Sequence, residues 1–168
     1  LALDQSPFYA ESGGQVGDQG EFSGSNGTGQ VVDCIKQGKI FLHKINLEEG
    51  SIKLNDTLKL SVAPMMRSDA ASNHSATHLL HESLRRTLGK HVTQKGSLVS
   101  PDRLRFDFSH NKPIEKEEMK KINNIVNEIV VSSSDVQTRT MTPKEAVSEI
   151  NPKSRYFTKL QRYENAIP

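Results

Sequence analysis

Residues 73–81 read Asn-His-Ser-Ala-Thr-His-Leu-Leu-His, which places three histidines within little more than two helical turns. At about 100° per residue, His78 lies roughly 40° around a helix from His74, and His81 lies roughly 20° to the other side. Two imidazoles one turn apart can bind a single metal ion, so His-x-x-x-His is a common half-site for zinc. Histidines at this spacing also occur on ordinary amphipathic helices, where they pack or face solvent. The pattern leaves both interpretations open, and His81 has the weakest claim to a metal.

Apolar positions around these histidines predict the face with which the helix packs. They are Ala76, Leu80, Leu84 and Leu88. A spacing of four is typical of the buried stripe of a helix. Ser68 or Asp69 is the expected N-cap, and Gly89 is the expected C-terminal stop. The histidines flank the stripe and Thr77 adds a hydroxyl beside His78, so this rim of the core suits a pocket.

Glycine divides the chain near the start of this helix. Nine of the 11 glycines fall within the first 50 residues, where they separate short alternating runs. The runs are residues 29–35, 39–45 and 57–62. Short strands between glycine turns predict a small, strongly bent sheet or β-barrel. Asn26-Gly27 and Glu49-Gly50 are the expected hairpin turns.

The sequence after this helix alternates between strand and helix patterns. Residues 104–108 alternate as a strand, and Val99 is expected to open another strand before it. Pro113 is the expected first position of a second helix. The apolar stripe of that helix is Ile122, Ile125, Val126, Ile129 and Val130. Residues 136–141 predict a further strand, and residues 142–150 predict a short helix that opens with a capping box.

Together these patterns predict an α+β fold in two parts and a tail. We expect a glycine-rich β-barrel over residues 1–63, followed by a two-layer α/β sandwich with a largely antiparallel sheet over residues 64–150. Residues 151–168 carry four basic residues and one acid among three aromatic residues. This tail either contacts RNA through charge and stacking or frays in solvent. A truncated chain, a frame-shifted gene and a diverged terminus are the alternatives for its origin.

Composition and charge narrow the class of protein. No apolar run approaches the roughly 20 residues of a membrane span, and no secretory pattern opens the chain, so we expect no membrane partner. The single cysteine, Cys34, excludes an internal disulfide and fits a cytoplasmic protein. Residues 1–62 have a net charge of −3 and residues 63–168 one of +5, which suits a polyanionic partner or an ordinary solvated surface. Because Leu1 is not preceded by methionine, we expect a piece of a longer protein.

Four ordered motifs resemble those of one enzyme family. They are residues 6–18, Ser-Pro-Phe-Tyr-Ala-Glu-Ser-Gly-Gly-Gln-Val-Gly-Asp; residues 73–80, Asn-His-Ser-Ala-Thr-His-Leu-Leu; residues 91–99, His-Val-Thr-Gln-Lys-Gly-Ser-Leu-Val; and residues 104–110, Leu-Arg-Phe-Asp-Phe-Ser-His. In this order they are similar to the editing region of alanyl-tRNA synthetase. The resemblance covers roughly residues 3–150.

The resemblance implies a hydrolase that corrects charging errors. A pocket for alanine cannot strongly reject serine or glycine. In this family the editing region hydrolyses the ester between the wrong amino acid and the terminal adenosine of the tRNA for alanine. A zinc ion is held there by two helical histidines, here His74 and His78, together with a later cysteine and histidine. The expected partners are therefore the acceptor end of that tRNA and the rest of the synthetase chain.

Further site residues follow from the chemistry and from the resemblance. Ester hydrolysis needs a positioned water and a stabilised oxyanion, and zinc can activate the water or hold the substrate. Thr77 and Gln94 are the predicted catalytic residues, with Thr77 placed to sense a serine hydroxyl. Gly13 and Gly14 allow the backbone to approach the substrate, and Gln15 offers an amide beside them. The alternatives are a tight turn at the glycines and a strand-end role for Gln94.

The sequence departs from the family pattern after residue 150. The later Cys-x-x-x-His motif is absent, since Cys34 is the single cysteine and no histidine follows His110. Cys34 lies in an apolar run, which predicts a buried strand residue and not a ligand. His81, His91 and His110 are further candidates that their spacing does not favour. Two functions stay open: an editing hydrolase, and a fragment that keeps the fold with at most weak tRNA binding and no catalysis.

Overall fold

The structure, a computed structural model, describes residues 1–133 and Thr142. Within these residues, six strands form two antiparallel sheets and two helices accompany them. The predicted α+β class is therefore confirmed. The elements predicted between residues 134 and 150, apart from the exposed Thr142, lie outside the described residues, as does the tail over residues 151–168.

The first sheet has four antiparallel strands in the order β3-β2-β1-β4. They are β1 (Gly20–Gly24), β2 (Gly27–Gln37), β3 (Ile40–Gly50) and β4 (Leu58–Val62). The three predicted strands correspond to β2, β3 and β4 and are confirmed. β1 carries little strand signal in the sequence, because glycines occupy both of its ends. In the described part of the chain no pairing joins β3 to β4, so closure into a barrel stays a prediction.

One of the two predicted hairpin turns is correct. β1 ends and β2 begins on either side of Ser25 and Asn26, which confirms the first hairpin to within one residue. The turn predicted at Glu49-Gly50 is wrong, because both residues belong to the end of β3 and pair with the start of β2. Gly50 has a φ of 75°, so glycine serves there to end a strand. After β3 the chain turns between Lys53 and Asp56, where the Asp56 N–H donates to the Lys53 carbonyl at 3.2 Å and Asn55 has a φ of 70°.

The first hydrophobic core packs the segment before β1 against this sheet. Its buried members are Phe8, Ala10, Phe22, Val31 and Cys34. Cys34 in β2 is fully buried, which confirms the prediction from its apolar neighbours. Burial, with a smaller contribution from Asp33 and Asp18, raises the pKa of the Cys34 thiol. The protonated thiol is a poor metal ligand at neutral pH.

A buried histidine in the same region predicts how stability depends on pH. His43 is 2% exposed, its Nε2 lies 2.6 Å from Ser6 Oγ, and its ring meets Phe8 edge-on. Burial lowers the pKa of His43 below the ordinary 6.5. The His43 ring therefore takes up a proton at a higher pH in the unfolded chain than in the folded chain.

We expect the stabilising effect of neutral His43 to be complete above pH 6.5 and to be lost as the pH falls through 6.5 toward the lowered pKa. Urea unfolding of the wild type and of His43→Gln at about pH 7.5 and about pH 5.5 measures this loss. The wild type should lose more of its free energy of unfolding than the variant. Equal losses in the two proteins would contradict a role for His43.

The second sheet is a two-stranded hairpin that packs with two helices. The elements are α1 (Pro64–Leu88), β5 (Gln94–Val99), β6 (Leu104–Phe108) and α2 (Lys116–Ser132). The buried core residues are Leu84, Val92 and Ile122, with Leu80, Leu88, Phe106, Phe108 and Ile114 packed against them. Leu80, Leu84 and Leu88 thus confirm three of the four predicted stripe positions of α1, while the fourth, Ala76, is half-buried outside this core. Val130 of the predicted α2 stripe is exposed. No helix within the described residues is long and apolar enough to cross a membrane.

Helix α1 begins earlier than its sequence pattern indicates. The predicted N-cap at Ser68 or Asp69 is wrong, since Pro64 occupies the first helical turn and Ala63 is the N-cap. Proline is well suited to that position because its missing N–H has no helical partner there. Ala63 has no side chain that could signal a cap. The predicted end is confirmed at Gly89, whose φ is 118°.

Two other boundaries differ from the predictions. Val99 ends β5 and does not open a strand, because Ser100 starts a hydrogen-bonded turn to β6. Helix α2 begins at Lys116 and not at Pro113. Its N-cap is Glu115, whose N–H donates to Oε2 of Glu118, the third helical residue, at 2.9 Å as in a capping box. The strand predicted over residues 104–108 is confirmed as β6.

Candidate functional site

The histidine motif on α1 meets the glycine-rich segment through a hydrogen bond. The ring centroids of His74 and His78 are 4.9 Å apart, and the ring planes are inclined by 46°. Nδ1 of His74 lies 2.6 Å from Oε1 of Gln15. Because an amide oxygen only accepts hydrogen bonds, Nδ1 carries the hydrogen in the neutral ring. This tautomer leaves Nε2 of His74 as the nitrogen that can bind a metal.

Gly13 and Gly14 form the two-residue turn that precedes Gln15. Ser12 and Gln15 exchange two backbone hydrogen bonds across it, at 3.1 and 3.0 Å. The two glycines have φ values of 60° and 84°, as a type I′ turn requires. The tight-turn interpretation of the glycines is confirmed, and their contact with a substrate stays a prediction.

This turn packs so closely against β5 that only glycine fits at position 14. The carbonyl of Gly14 accepts the Val99 N–H at 2.7 Å, and the Val16 N–H donates to the Val99 carbonyl at 3.0 Å. A β-carbon on Gly14 would lie 2.6 Å from the Ser97 carbonyl oxygen. A β-carbon on Gly13 would meet no atom within 4 Å among the described residues. β5 therefore determines where the segment that carries the histidine partner lies.

Gln94, the first residue of β5, also contacts Ser97. Its Nε2 donates to Ser97 Oγ at 3.1 Å, and Ser97 is the residue against which Gly14 packs. The strand-end interpretation of Gln94 is thus confirmed. Its side chain is exposed, so that the amide can also reach a ligand, and its catalytic role stays a prediction.

Thr77 lies between the two histidines in the sequence, but its side chain is buried. Its Oγ1 donates to the Asn73 carbonyl at 2.8 Å. Because the hydroxyl hydrogen is used within the helix, the oxygen keeps only its acceptor capacity. In this arrangement the Thr77 hydroxyl can accept a further hydrogen bond but cannot donate one. Its catalytic role stays a prediction.

Asn73, which has no predicted role, connects α1 to the turn between β5 and β6. Its Nδ2 donates to the carbonyl oxygens of Ser100 at 2.8 Å and of Pro101 at 3.1 Å. The residue opens the histidine motif, and an asparagine within a helix is a signal for a side-chain hydrogen bond elsewhere. This contact fixes the histidine helix relative to β5.

The sequence analysis also gives no role to Asp18, which joins the glycine-rich motif to α1. Nε and Nη2 of Arg67 donate to Oδ2 of Asp18, the former at 3.0 Å, and the Tyr9 N–H donates to the same oxygen at 2.7 Å. Nη2 of Arg67 also donates to the Pro7 carbonyl at 2.7 Å. Asp18 is 7% exposed. The partners are 49 residues apart in the chain, so no local pattern indicates the pair.

The other histidines that follow His78 in the sequence contact aromatic or histidine rings. The ring of His81 lies 5.1 Å from that of Phe106, in agreement with a packing role. Nε2 of His91 lies 2.9 Å from Nδ1 of His110. Among the residues that the structure describes, no group of three or more histidine, cysteine, aspartate or glutamate side chains can hold a metal ion. Zinc binding by the histidine pair of α1 stays a prediction.

Comparison with known proteins finds similarity over most of the length of this chain. Residues 1–65 match the family described as tRNA synthetases class II (A). An alanine–tRNA ligase from Rhodopseudomonas palustris is 52% identical over 147 residues. The match covers 87% of this chain and 16% of that ligase, so the chain spans a small part of its relative. The chain belongs to the alanyl-tRNA synthetase family.

Proposed function

We propose that the chain is the editing part of an alanyl-tRNA synthetase, where it hydrolyses seryl or glycyl esters of the tRNA for alanine. The observation that carries the proposal is the convergence of Gln15 with the paired rings of His74 and His78. The packing of the glycine turn on β5 supports it, because this contact brings the exposed Gln94 to the same place. The activity would serve protein synthesis in the cytoplasm, as the editing part of a longer synthetase chain.

His74, through Nε2, and His78 would hold a zinc ion. When bound, zinc supplies a Lewis acid that can activate a water or orient the ester. Gln15 contributes by holding the hydrogen of His74 on Nδ1. Such a hydrogen bond from a neighbouring side chain fixes both the tautomer and the orientation of a metal-binding ring.

The remaining side chains of the site bind and orient the aminoacyl end. The exposed amide of Gln94 would bind the ester group, and Thr77 Oγ1 would accept a hydrogen bond from the serine hydroxyl. Among the described residues nothing lies within 4 Å of a β-carbon built on Gly13, which would leave room for the substrate beside the turn. Water adds to the ester carbonyl carbon and the ester C–O bond breaks, which releases the free amino acid and the ribose hydroxyl of the terminal adenosine.

Release of serine from seryl-tRNA for alanine, measured with the 168-residue chain and added zinc, tests the proposal. We expect turnover by the wild type and a loss of about a hundredfold or more in His74→Ala and His78→Ala, since each variant lacks a metal ligand. Leu54→Ala is a suitable control, because Leu54 is 92% exposed in a loop of the first sheet. A folded wild-type chain that shows no turnover with zinc present would contradict the proposal.

A second function is favoured because the described residues contain no group of three or more histidine, cysteine, aspartate or glutamate side chains that could hold a metal ion. Under this alternative the chain keeps the fold, binds tRNA weakly at most and leaves the ester intact. The zinc content of the purified protein separates the two functions. Near-stoichiometric zinc that disappears in His74→Ala supports the hydrolase, and metal-free protein supports the alternative.

A further inference from the structure

A β-bulge beside the candidate site sets the position of Lys95. β5 pairs with β6 at Gln94 and again at Gly96, and the two partners are adjacent on β6, so Lys95 is the extra residue. Consecutive residues of a regular strand face opposite sides of the sheet. Here Gln94 and Lys95 are both exposed. Bulges commonly redirect a side chain next to a functional site, and in this one Lys95 directly follows Gln94.

The charge of Lys95 is not compensated by the neighbouring strand. Asp107, the acidic residue that faces the bulge on β6, is bonded by Arg105, with Nε 3.2 Å from Oδ2. None of the ion pairs between described residues involves Lys95. An exposed ammonium group without a carboxylate partner is suited to bind an anionic ligand.

We propose that Lys95 binds a backbone phosphate of the RNA whose aminoacylated end occupies the site, an inference that rests on the proposed function. The ester lies on the terminal ribose, whose nearest anion is the phosphate that joins it to the preceding nucleotide. Gln94 next to Lys95 bonds to Ser97, on which the glycine turn packs. A cation one residue from this amide complements the phosphate next to the ester, and such contacts fix the register of the RNA.

Salt-dependent binding of deacylated tRNA for alanine to the 168-residue chain tests the inference. Loss of one phosphate contact in Lys95→Gln should weaken binding about fivefold at low salt and reduce the slope of log affinity against log salt by about one. Lys95→Arg should retain the wild-type affinity. Lys39→Gln is the matched control, because Lys39 is exposed in the turn between β2 and β3, and it should change neither quantity.

Hydrolysis of seryl-tRNA by the same proteins separates this inference from the proposed function. Lys95→Gln should raise KM about fivefold and leave kcat unchanged, with an unchanged thermal midpoint. If Lys95→Gln hydrolyses the ester and also keeps the wild-type affinity and salt slope, the phosphate contact is overturned and the editing proposal stands. If Lys95→Gln lowers the salt slope but the wild type does not hydrolyse the ester, the result supports the phosphate contact and contradicts editing.

Discussion

Gly14→Ala is expected to lower the free energy of unfolding by about 3 kcal/mol, the sum of backbone strain and overpacking. At a φ of 84°, an alanine is strained by about 1–2 kcal/mol. Its β-carbon would also lie 2.6 Å from the Ser97 carbonyl oxygen, so the turn and β5 must separate. Urea unfolding of the wild type and the variant measures the loss. The separation should also weaken the hydrogen bond from His74 to Gln15.

Gly13→Ala is the matched control for this substitution. The φ of Gly13 is 60° and its β-carbon would meet none of the described atoms within 4 Å. Only the backbone strain applies, so we expect a loss of about 1 kcal/mol. Equal losses in the two variants would show that the close packing of Gly14 on β5 does not contribute.

Asp18→Ala should cost about 3 kcal/mol, the lower end of the range for breaking a buried ion pair. The substitution removes the acceptor of two Arg67 nitrogens and of the Tyr9 N–H. The side chain of Arg67 is 45% exposed, so water can compensate part of its loss. Chemical denaturation at neutral pH measures the change. Asp69→Ala on the exposed face of α1 should stay within about 0.5 kcal/mol of the wild type.

A double-mutant cycle with Arg67→Ala tests the same ion pair directly. If the two side chains stabilise the fold mainly through each other, the double variant should lose less stability than the sum of the two single losses. Strictly additive losses would mean that Asp18 stabilises the fold through Tyr9 alone.

The elements that the sequence predicts correctly are those whose signal is local. The alternation of residues 104–108 matches β6, and Gly89 ends α1 where its conformational freedom is needed. Pro64 is the sequence signal that fits the observed start of α1, whereas the polar Ser68 and Asp69 favour a later cap. Glu49-Gly50 has the composition of a turn, yet pairing with β2 keeps it in a strand.

The candidate site is only partly visible in the sequence for a related reason. The spacing of His74 and His78 follows from helical geometry alone, so both rings could be placed on one face. The contact of His74 with Gln15 spans 59 residues, and the contact of Asp18 with Arg67 spans 49. Such contacts depend on how the sheets and α1 pack, and no local pattern encodes this packing.

The most direct test of the account is nitrogen-15 NMR of the histidine side chains during a zinc titration. The hydrogen bond to Gln15 predicts that neutral His74 carries its hydrogen on Nδ1. The proposed zinc site predicts that the Nε2 signal of His74 shifts together with a ring nitrogen of His78 when zinc is added. A hydrogen on Nε2 of His74, or zinc that leaves both rings unchanged, would contradict the proposed site.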